Sequence, residues 1–185
     1  MKSYFLQYRP FFIFLFKFFG VYVVLTLVYE SYLSRFDSML AFEVDGFTRS
    51  VAQQVQWVLR LMHYDCTLLL HEHQASVKLI LNGAYVSRVV EGCNALSVII
   101  LFTAFVVAFS GRWKQSIGFI LVGSLVIHIL NVLRIAFLSM ALYYHPEQEP
   151  LLHGVVFPLF IYGVVFGLWV IWVNKFSRYA RKTAK

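Results

Sequence analysis

The sequence predicts an all-α polytopic membrane protein with about four transmembrane helices, an extracytoplasmic amphipathic helix and a small β-hairpin. Of the 185 residues, 60% are hydrophobic and only 14% are charged, whereas ordinary soluble domains contain roughly 45 to 50% apolar residues. The other two observations behind this prediction are long apolar runs and a one-sided distribution of lysine and arginine. One integral membrane domain is expected over residues 1–185.

Four apolar stretches have the length of a membrane span, for which a helix needs roughly 20 mostly apolar residues. They cover about residues 11–31, 93–110, 115–140 and 151–173, and they leave a segment of about residues 32–92 outside the bilayer. The third stretch stays apolar as far as Tyr144, so its helix runs past the membrane surface, tilts or breaks. The first stretch lacks a small-residue cleavage site, and we expect it to remain as an uncleaved anchor.

The charged residues indicate how the helices are oriented in the membrane. With the N-terminus inside, the cytoplasmic segments contain no acidic residue and carry Lys2, Arg9, Arg112, Lys114, Lys175, Arg178, Arg181, Lys182 and Lys185. The opposite face carries five basic residues against Asp37, Glu43, Asp45, Asp65, Glu72, Glu91, Glu147 and Glu149. This distribution satisfies the positive-inside rule. Both termini are therefore expected in the cytoplasm. The net charge of +7 reflects topology, and no nucleic-acid partner is expected.

The extracytoplasmic segment contains two patterned stretches. Apolar residues recur at helical spacing from Phe47 to Met62, opposite arginine and glutamine side chains, which predicts an amphipathic helix lying on the membrane surface. Farther on, Asn82-Gly83 separates two β-prone runs within residues 77–90. This dipeptide is the strongest short-range signal for a hairpin. The hairpin is expected to end where Cys93 begins the second span.

Three residues from three different predicted spans meet the same extracytoplasmic face. Cys93 lies at the start of the second span, where unpaired backbone amides and the helix dipole favour an anion such as a thiolate. Arg134 lies about twenty residues up the third span, and a charge in an apolar run costs at least ~2.5 kcal/mol and usually faces a partner or a wet cavity. His153 opens the fourth span. These three side chains are therefore expected at one membrane depth.

The three residue types suit acyl transfer. A thiolate attacks a carbonyl, an imidazole moves protons to and from the leaving group, and a guanidinium stabilises the oxyanion or the thiolate. Each residue also has a structural interpretation that the sequence leaves open. Cys66 and Cys93 can form a disulfide, Arg134 can snorkel to lipid headgroups, and His153 can be an interfacial side chain.

Three short motifs follow one another in the second half of the chain. They are Glu91-Gly92-Cys93 entering a membrane helix, Asn131-Val132-Leu133-Arg134-Ile135 ending the next, and His153-Gly154 opening the last. In order and topology they resemble the motifs of the exosortase and archaeosortase family of membrane cysteine transpeptidases. The resemblance covers about a third of the chain, from Glu91 to Tyr162.

The resemblance implies a set of roles by position. Cys93 would be the nucleophile, His153 the general acid and base, and Arg134 the stabilising cation. The supporting residues around them would be Asn131, Glu91 and Asn94. No cofactor and no metal ion is implied. The implied partner is a substrate protein with a C-terminal sorting signal, made of a short motif, a transmembrane helix and a basic cluster. Cleavage would pass this protein, through a thioester on the cysteine, to an acceptor in the cell envelope.

The resemblance also implies a location and a departure. The protein would sit in the lipid bilayer of the bacterial inner membrane, with its active site facing the extracytoplasmic side. Many family members have more membrane spans than this chain, so a membrane helper protein is a further candidate partner. Cys93-Asn94-Ala95 stands here where the common family pattern has Cys-Ser-Gly.

Other classes of function fit the sequence less well, with one exception. A zinc site drawn from His71, Glu72 and His73, with distant His63, lacks a standard ligand set or an H-E-x-x-H helix. A serine protease is not indicated, because the G-x-S-x-G elbow is missing. The alternative that remains open is a non-enzymatic membrane scaffold for an envelope or export system, for which Cys93→Ala would be harmless.

Overall fold

The computed structural model describes residues 8–38, 41–109 and 111–177, most of which are helical. The helices are α1 (Arg9–Leu33), α2 (Gly46–Leu61), α3 (Leu96–Ala108), α4 (Trp113–Tyr144) and α5 (Pro146–Phe176). The strands are β1 (Asp37–Ser38), β2 (Ala41–Phe42), β3 (Cys66–Leu70), β4 (Ser76–Leu81) and β5 (Ala84–Val90). Several predicted cytoplasmic residues and the end of the second predicted span lie outside the described residues, namely Lys2, Ser110, Arg178, Arg181, Lys182 and Lys185.

Within the described residues, three helices are long and apolar enough to cross a membrane: α1, α4 and α5. They confirm the predicted class of membrane protein. Helix α3 is apolar but has only 13 residues, which rise about 20 Å against the roughly 30 Å of a bilayer's hydrocarbon core. The prediction of four full spans is therefore not confirmed, because a separate turn occupies residues 91–95 before this helix begins.

Helix α1 has the surface of a helix that faces lipid. None of its residues is buried within the protein, and its exposed side chains include Phe16, Val24, Leu27 and Val28. An apolar surface this large is unfavourable in water and is favourable in hydrocarbon. All backbone hydrogen bonds of a helix are internal, so the bilayer can cover it without leaving polar groups unpaired.

Helices α1 and α3 run antiparallel over the same depth. Near one end, the ring centroids of Phe14 and Phe109 are 4.7 Å apart. Near the other end, the Tyr29 hydroxyl and the Asn94 side chain form a hydrogen bond of 3.0 Å. The stretch from Phe14 to Tyr29 rises about 22 Å. Residues 94–109 therefore lie alongside most of the apolar length of α1.

Helix α4 is a single unbroken helix of 32 residues that takes part in two apolar cores. Its first half packs with α3 and α5, where Phe102, Ile127 and Trp172 are fully buried. Its second half continues beyond this bundle and packs against α2 and the sheet through Val132, Ile135 and Ala136. Of the possibilities that the sequence left open, the structure excludes a break in this helix.

The predicted hairpin is present and belongs to a larger sheet. Strands β4 and β5 pair antiparallel around Asn82 and Gly83, whose φ angles of 49° and 82° suit a type I′ turn, which requires two positive values. Strand β3 pairs with the other side of β4, which gives the order β3-β4-β5. Strand β3 is not predicted from the sequence, because its residues, Cys-Thr-Leu-Leu-Leu, do not alternate between apolar and polar.

Helix α2 is the predicted amphipathic helix, but its apolar face packs against protein. Val51, Val55 and Leu59 are fully buried in a core shared with the sheet and the second half of α4. The carboxylate of Asp45 caps the helix by accepting hydrogen bonds from two backbone N–H groups of the first turn, at 3.0 and 2.9 Å. The expectation that this face lies on the membrane surface is wrong, since the sheet supplies its apolar partner.

The close approach of α3 and α4 depends on Gly123. A Cβ atom at this position would lie 2.3 Å from Cζ of Phe102, whose ring is fully buried. We expect Gly123→Ala to lower the melting temperature of the purified protein in detergent, since overpacking typically costs about 1–3 kcal/mol. Gly118→Ala on the same helix is the control, because its Cβ meets nothing within 4 Å and alanine favours helix. Equal melting temperatures for the two variants would contradict this packing.

Candidate active site

The entrance to α3 is a tight turn. Residues Glu91–Cys93 form one 3₁₀ turn, and the backbone N–H of Asn94 donates to the carbonyl oxygen of Glu91 at 3.2 Å. Ala95 follows in the left-handed conformation, with a φ of 67°, and α3 begins at Leu96. Cys93 therefore lies in a turn just before the helix and not in its first helical residues, as the apolar run predicted.

The side chain of Asn94 fastens this turn to two other helices and is itself only 1% exposed. Its Nδ2 atom donates to the hydroxyl oxygens of Tyr29 on α1 and Thr48 on α2, at 3.0 and 3.1 Å. Its Oδ1 atom accepts from the backbone N–H of Leu96 at 2.9 Å, one of the amides left unpaired at a helix N-terminus. Both ends of this buried amide are thus paired, as burial requires.

Asn131 on α4 connects the same turn to Arg134. The Asn131 side chain is 1% exposed, and its Nδ2 atom donates to the backbone carbonyl oxygen of Cys93 at 2.7 Å. Its Oδ1 atom accepts from Nη1 of Arg134 at 3.4 Å. The Nε atom of Arg134 is buried and has no hydrogen-bond partner among the described residues. An unpaired buried donor of this kind is unfavourable.

Cys93, Arg134 and His153 line one cavity, whose volume is about 470 Å³. Cys93 comes from the turn before α3, Arg134 from α4, and His153 from a π-helical segment of α5, Leu152–Val156. Cys93 and Arg134 are half-buried, and His153 is exposed on the cavity wall. The structure thus brings together the three residues that the sequence placed at one membrane face. A thiol, a guanidinium and an imidazole around one opening are the groups that acyl transfer uses.

The remaining cavity residues were not singled out from the sequence. Arg88 and Glu149 were counted only as charges of the outer face, and Tyr85 and Ser87 only as parts of a hairpin, yet all four line the cavity. The available signal was the short distance along the chain between the hairpin and Cys93.

The three predicted supporting residues do not line the cavity. Asn131 bonds to the backbone of Cys93 and to Arg134, whereas Asn94 and Glu91 belong to the turn itself.

The two cysteines differ in their surroundings, and both are free thiols. Cys66 is fully buried in β3. Burial raises the pKa of the Cys66 thiol, and nearby Arg60 opposes this rise while Asp65 adds to it. Cys93 is half-buried and opens on the cavity. The structural disulfide that the sequence left open is absent from the structure.

The residues from which a zinc site was drawn make other contacts. The Nδ1 atom of His71 accepts from the backbone N–H of His73 at 3.1 Å. Glu72 accepts a hydrogen bond of 3.3 Å from the ammonium group of Lys78, with which it forms an ion pair. This hydrogen bond lowers the pKa of the Glu72 carboxyl group. In the part of the chain that the structure describes, no group of three or more His, Cys, Asp or Glu side chains could hold a metal ion.

Comparison with known proteins agrees with the motifs. The family model described as transmembrane exosortase (Exosortase_EpsH) matches residues 5–174. The match includes every element that contributes to the cavity. No curated protein and no solved structure matches the chain.

The left-handed conformation of Ala95 leads to a stability prediction. A Cβ atom in this conformation costs roughly 1–2 kcal/mol, which glycine avoids, and glycine is the residue that the common family pattern has here. We expect Ala95→Gly to raise the melting temperature in detergent. Ala104→Gly is the control, because Ala104 is fully buried inside α3 and glycine in a helix interior costs about 1 kcal/mol. A similar fall in both variants would show that Ala95 is not strained.

The environments of the two cysteines predict different reactivities. We expect a maleimide to modify Cys93 of the folded, detergent-solubilised protein about tenfold or more faster than Cys66, because Cys66 is buried and reactivity requires an accessible thiolate. Mass spectrometry of the Cys66→Ala and Cys93→Ala proteins assigns each rate. Modification of Cys66 should become fast only after unfolding. Equal rates in the folded protein would contradict the burial of Cys66.

Proposed function

The chain belongs to the transmembrane exosortase family, and from that premise we propose that it is a membrane cysteine transpeptidase. It cleaves the C-terminal sorting signal of an exported protein through a thioester and transfers that protein to an acceptor in the cell envelope. One observation carries the proposal: the shared cavity, on which a thiol, a guanidinium and an imidazole converge from three separate segments.

Cys93 is the proposed nucleophile. Its thiolate attacks the scissile carbonyl carbon, and the carbonyl oxygen becomes the oxyanion of a tetrahedral intermediate. Collapse of this intermediate breaks the C–N bond, and the leaving amine takes up a proton. The exported protein then remains attached to the sulfur as a thioester. An amine, a hydroxyl group or water attacks the thioester, forms the product and restores the thiolate.

Arg134 is the proposed stabiliser of the oxyanion. Arg134 lines the cavity, and of the five N–H donors of its guanidinium one bonds to Asn131, which leaves N–H groups to donate to a substrate oxygen. A preorganised donor of this kind is worth most in a site from which water is excluded. Asn131 is a positioning residue in this scheme, because it bonds both to the backbone of Cys93 and to the guanidinium.

His153 is the proposed general acid and base. Its imidazole takes the proton of the thiol, gives a proton to the leaving amine, and later removes one from the acceptor. Its exposed position on the cavity wall supports this role, since the acceptor must reach the thioester from outside. A π-helical segment carries it, and such segments occur frequently at functional sites.

The proposal places the protein in the bacterial inner membrane, with both termini in the cytoplasm and the cavity facing the extracytoplasmic side. The distribution of charges supports this orientation, because the basic turn at Arg112 and Lys114 lies at the opposite end of α4 from the sheet. The transmembrane helix of a substrate would then lie in lipid against the exposed apolar surfaces of the spanning helices. A membrane helper protein remains a candidate partner.

A non-enzymatic scaffold is the alternative function. It gives no reason for a thiol, a guanidinium and an imidazole from three separate segments to line one cavity. It is also compatible with a bridge between Cys66 and Cys93, whereas both thiols are free. The arrangement around the cavity therefore favours the enzyme.

Processing of exported proteins in the host tests the proposal. We expect Cys93→Ala, His153→Ala and Arg134→Ala each to abolish processing, because each removes one group from the reaction. Arg134→Lys should also be severely impaired, since lysine keeps the charge but lacks the planar fork. The measurement is quantitative mass spectrometry of membrane fractions, in which unprocessed precursors are recognised by C-terminal transmembrane peptides that persist only in the variant strains.

Cys66→Ala is the matched control, because Cys66 is the other thiol of the chain and does not line the cavity. The Cys66→Ala strain should process precursors normally. In the wild type, an adduct on Cys93 that hydroxylamine releases would identify the thioester. Precursor processing at the wild-type rate in the Cys93→Ala strain would refute the transpeptidase and leave the scaffold as the remaining function.

A further inference from the structure

Strand β5 forms one wall of the cavity along its edge. Tyr85, Val86, Ser87 and Arg88 are consecutive, and all four line the cavity. The register of β5 shifts by one residue at Val86, but Ser87 and Arg88 pair regularly with Leu79 and Lys78 and so point to opposite faces of the sheet. A space that touches both of them runs along the edge of the strand. The opposite walls are α4, which contributes Arg134, and α5. The cavity is thus a groove between a strand edge and two helices.

The backbone of β5 offers hydrogen-bonding groups to this groove. The N–H of Asn82 donates to Asp65, and the carbonyl oxygen of Ser76 accepts from His71, so the even-numbered residues of β4 face β3. Because neighbouring residues of a strand face opposite sides, the odd-numbered residues of β4 face β5.

The odd-numbered residues Val77 and Leu79 of β4 are paired with Val89 and Ser87 of β5. Arg88 lies between these two partners, so its N–H and carbonyl groups point away from β4 and towards the outer edge. Within the described ranges, β5 is an edge strand and pairs only with β4.

We infer that β5 binds the substrate as an added strand, with the residues on the N-terminal side of the scissile bond paired along its outer edge. The inference rests on the proposed function. Strand β5 ends at Val90, three positions before Cys93, so a segment paired with it delivers its last carbonyl group to the thiol. Addition of a peptide strand to a free sheet edge is a recurrent mode of recognition in which main-chain hydrogen bonds supply the affinity.

The geometry also gives the direction and the length of the bound segment. The C-terminal side of a sorting signal continues into a membrane helix and must descend along the lipid-facing helices, which leaves the N-terminal side for the sheet. That segment runs parallel to β5, because its C-terminal end lies at Cys93. The α4 wall from Arg134 to Leu142 rises about 12 Å, which accommodates three to four residues of a parallel strand at about 3.3 Å each.

The test uses a peptide probe that reacts with Cys93 whatever the natural sorting motif is. The probe is N-acetyl-tetraalanine chloromethyl ketone, and the thiolate displaces its chloride to form a thioether. Two methylated twins carry N-methyl groups on the first and third, or on the second and fourth, alanine nitrogens. The protein is the full chain with Cys66→Ala in detergent, which leaves Cys93 as its single thiol. Each rate is divided by the rate with iodoacetamide, which has no peptide to pair.

Strand pairing predicts that the two twins differ. Only one of the two sets of alternate amides faces β5, so one twin should react about tenfold more slowly than the unmethylated probe and the other about as fast, given the usual strength of such hydrogen bonds. Equal rates for the two twins, whether both fast or both slow, would overturn the inference. Both twins carry the same number of methyl groups, so general effects of methylation cancel.

Two substitutions of Arg88 distinguish the contribution of its backbone N–H from that of its side chain. Arg88→Pro removes the outward N–H, and proline is tolerated at an edge where that N–H makes no ladder bond. Arg88→Ala removes the same side chain but keeps the N–H. The difference between the twins should persist in Arg88→Ala and shrink in Arg88→Pro, with folding of both checked by melting temperature. A difference that survives in Arg88→Pro would exclude the pairing proposed for this residue.

The two proposals fail in distinguishable ways. If processing in the host requires Cys93 but the twins react equally, the transpeptidase stands and β5 does not bind the peptide. If the twins differ but Cys93→Ala cells process precursors normally, the groove binds extended peptides and the proposed reaction is wrong.

Discussion

Two buried asparagine side chains hold the turn that carries Cys93, and the geometry of the cavity depends on them. Asn94 ties the turn to α1 and α2, and Asn131 ties it to α4. Both amides are almost completely buried, where an unpaired polar group costs about 1–3 kcal/mol. Each side chain therefore specifies its partners strictly. These polar contacts fix the turn at the place where the apolar bundle ends. The position of the thiol is fixed with it, because Cys93 is part of the turn.

Helix α4 explains how a membrane bundle and a sheet come to share one site. Its first half is buried among apolar side chains of α3 and α5, and its second half is buried against α2 and the sheet. Arg134 lies close to the boundary between the two cores, where a charged group can reach a polar cavity instead of lipid. The hydroxyl groups of Ser87 and Ser139, 2.8 Å apart, join β5 to α4 above it. The cavity is the space that remains between these elements.

The shortness of α3 is a consequence of the same turn. Residues that would have extended the helix at its N-terminal end instead form a 3₁₀ turn and the left-handed Ala95, and the Cys93 carbonyl oxygen in this turn accepts a hydrogen bond from Asn131. Strained backbone of this kind persists only where surrounding contacts determine it, and it is common at functional sites. The helix is shorter because of this turn, and the same turn holds Cys93 in a defined position.

Local patterns in the sequence are sufficient to predict the membrane class, the hairpin, the amphipathic helix and three of the residues that line the cavity. These features follow from local patterns: apolar length, the Asn82-Gly83 turn, helical spacing, and the positions of Cys93, Arg134 and His153 relative to the ends of apolar runs. What covers α2, where β3 pairs, how far α3 extends and which strand edge borders the cavity all depend on contacts between segments distant along the chain, and local periodicity contains no information about such contacts.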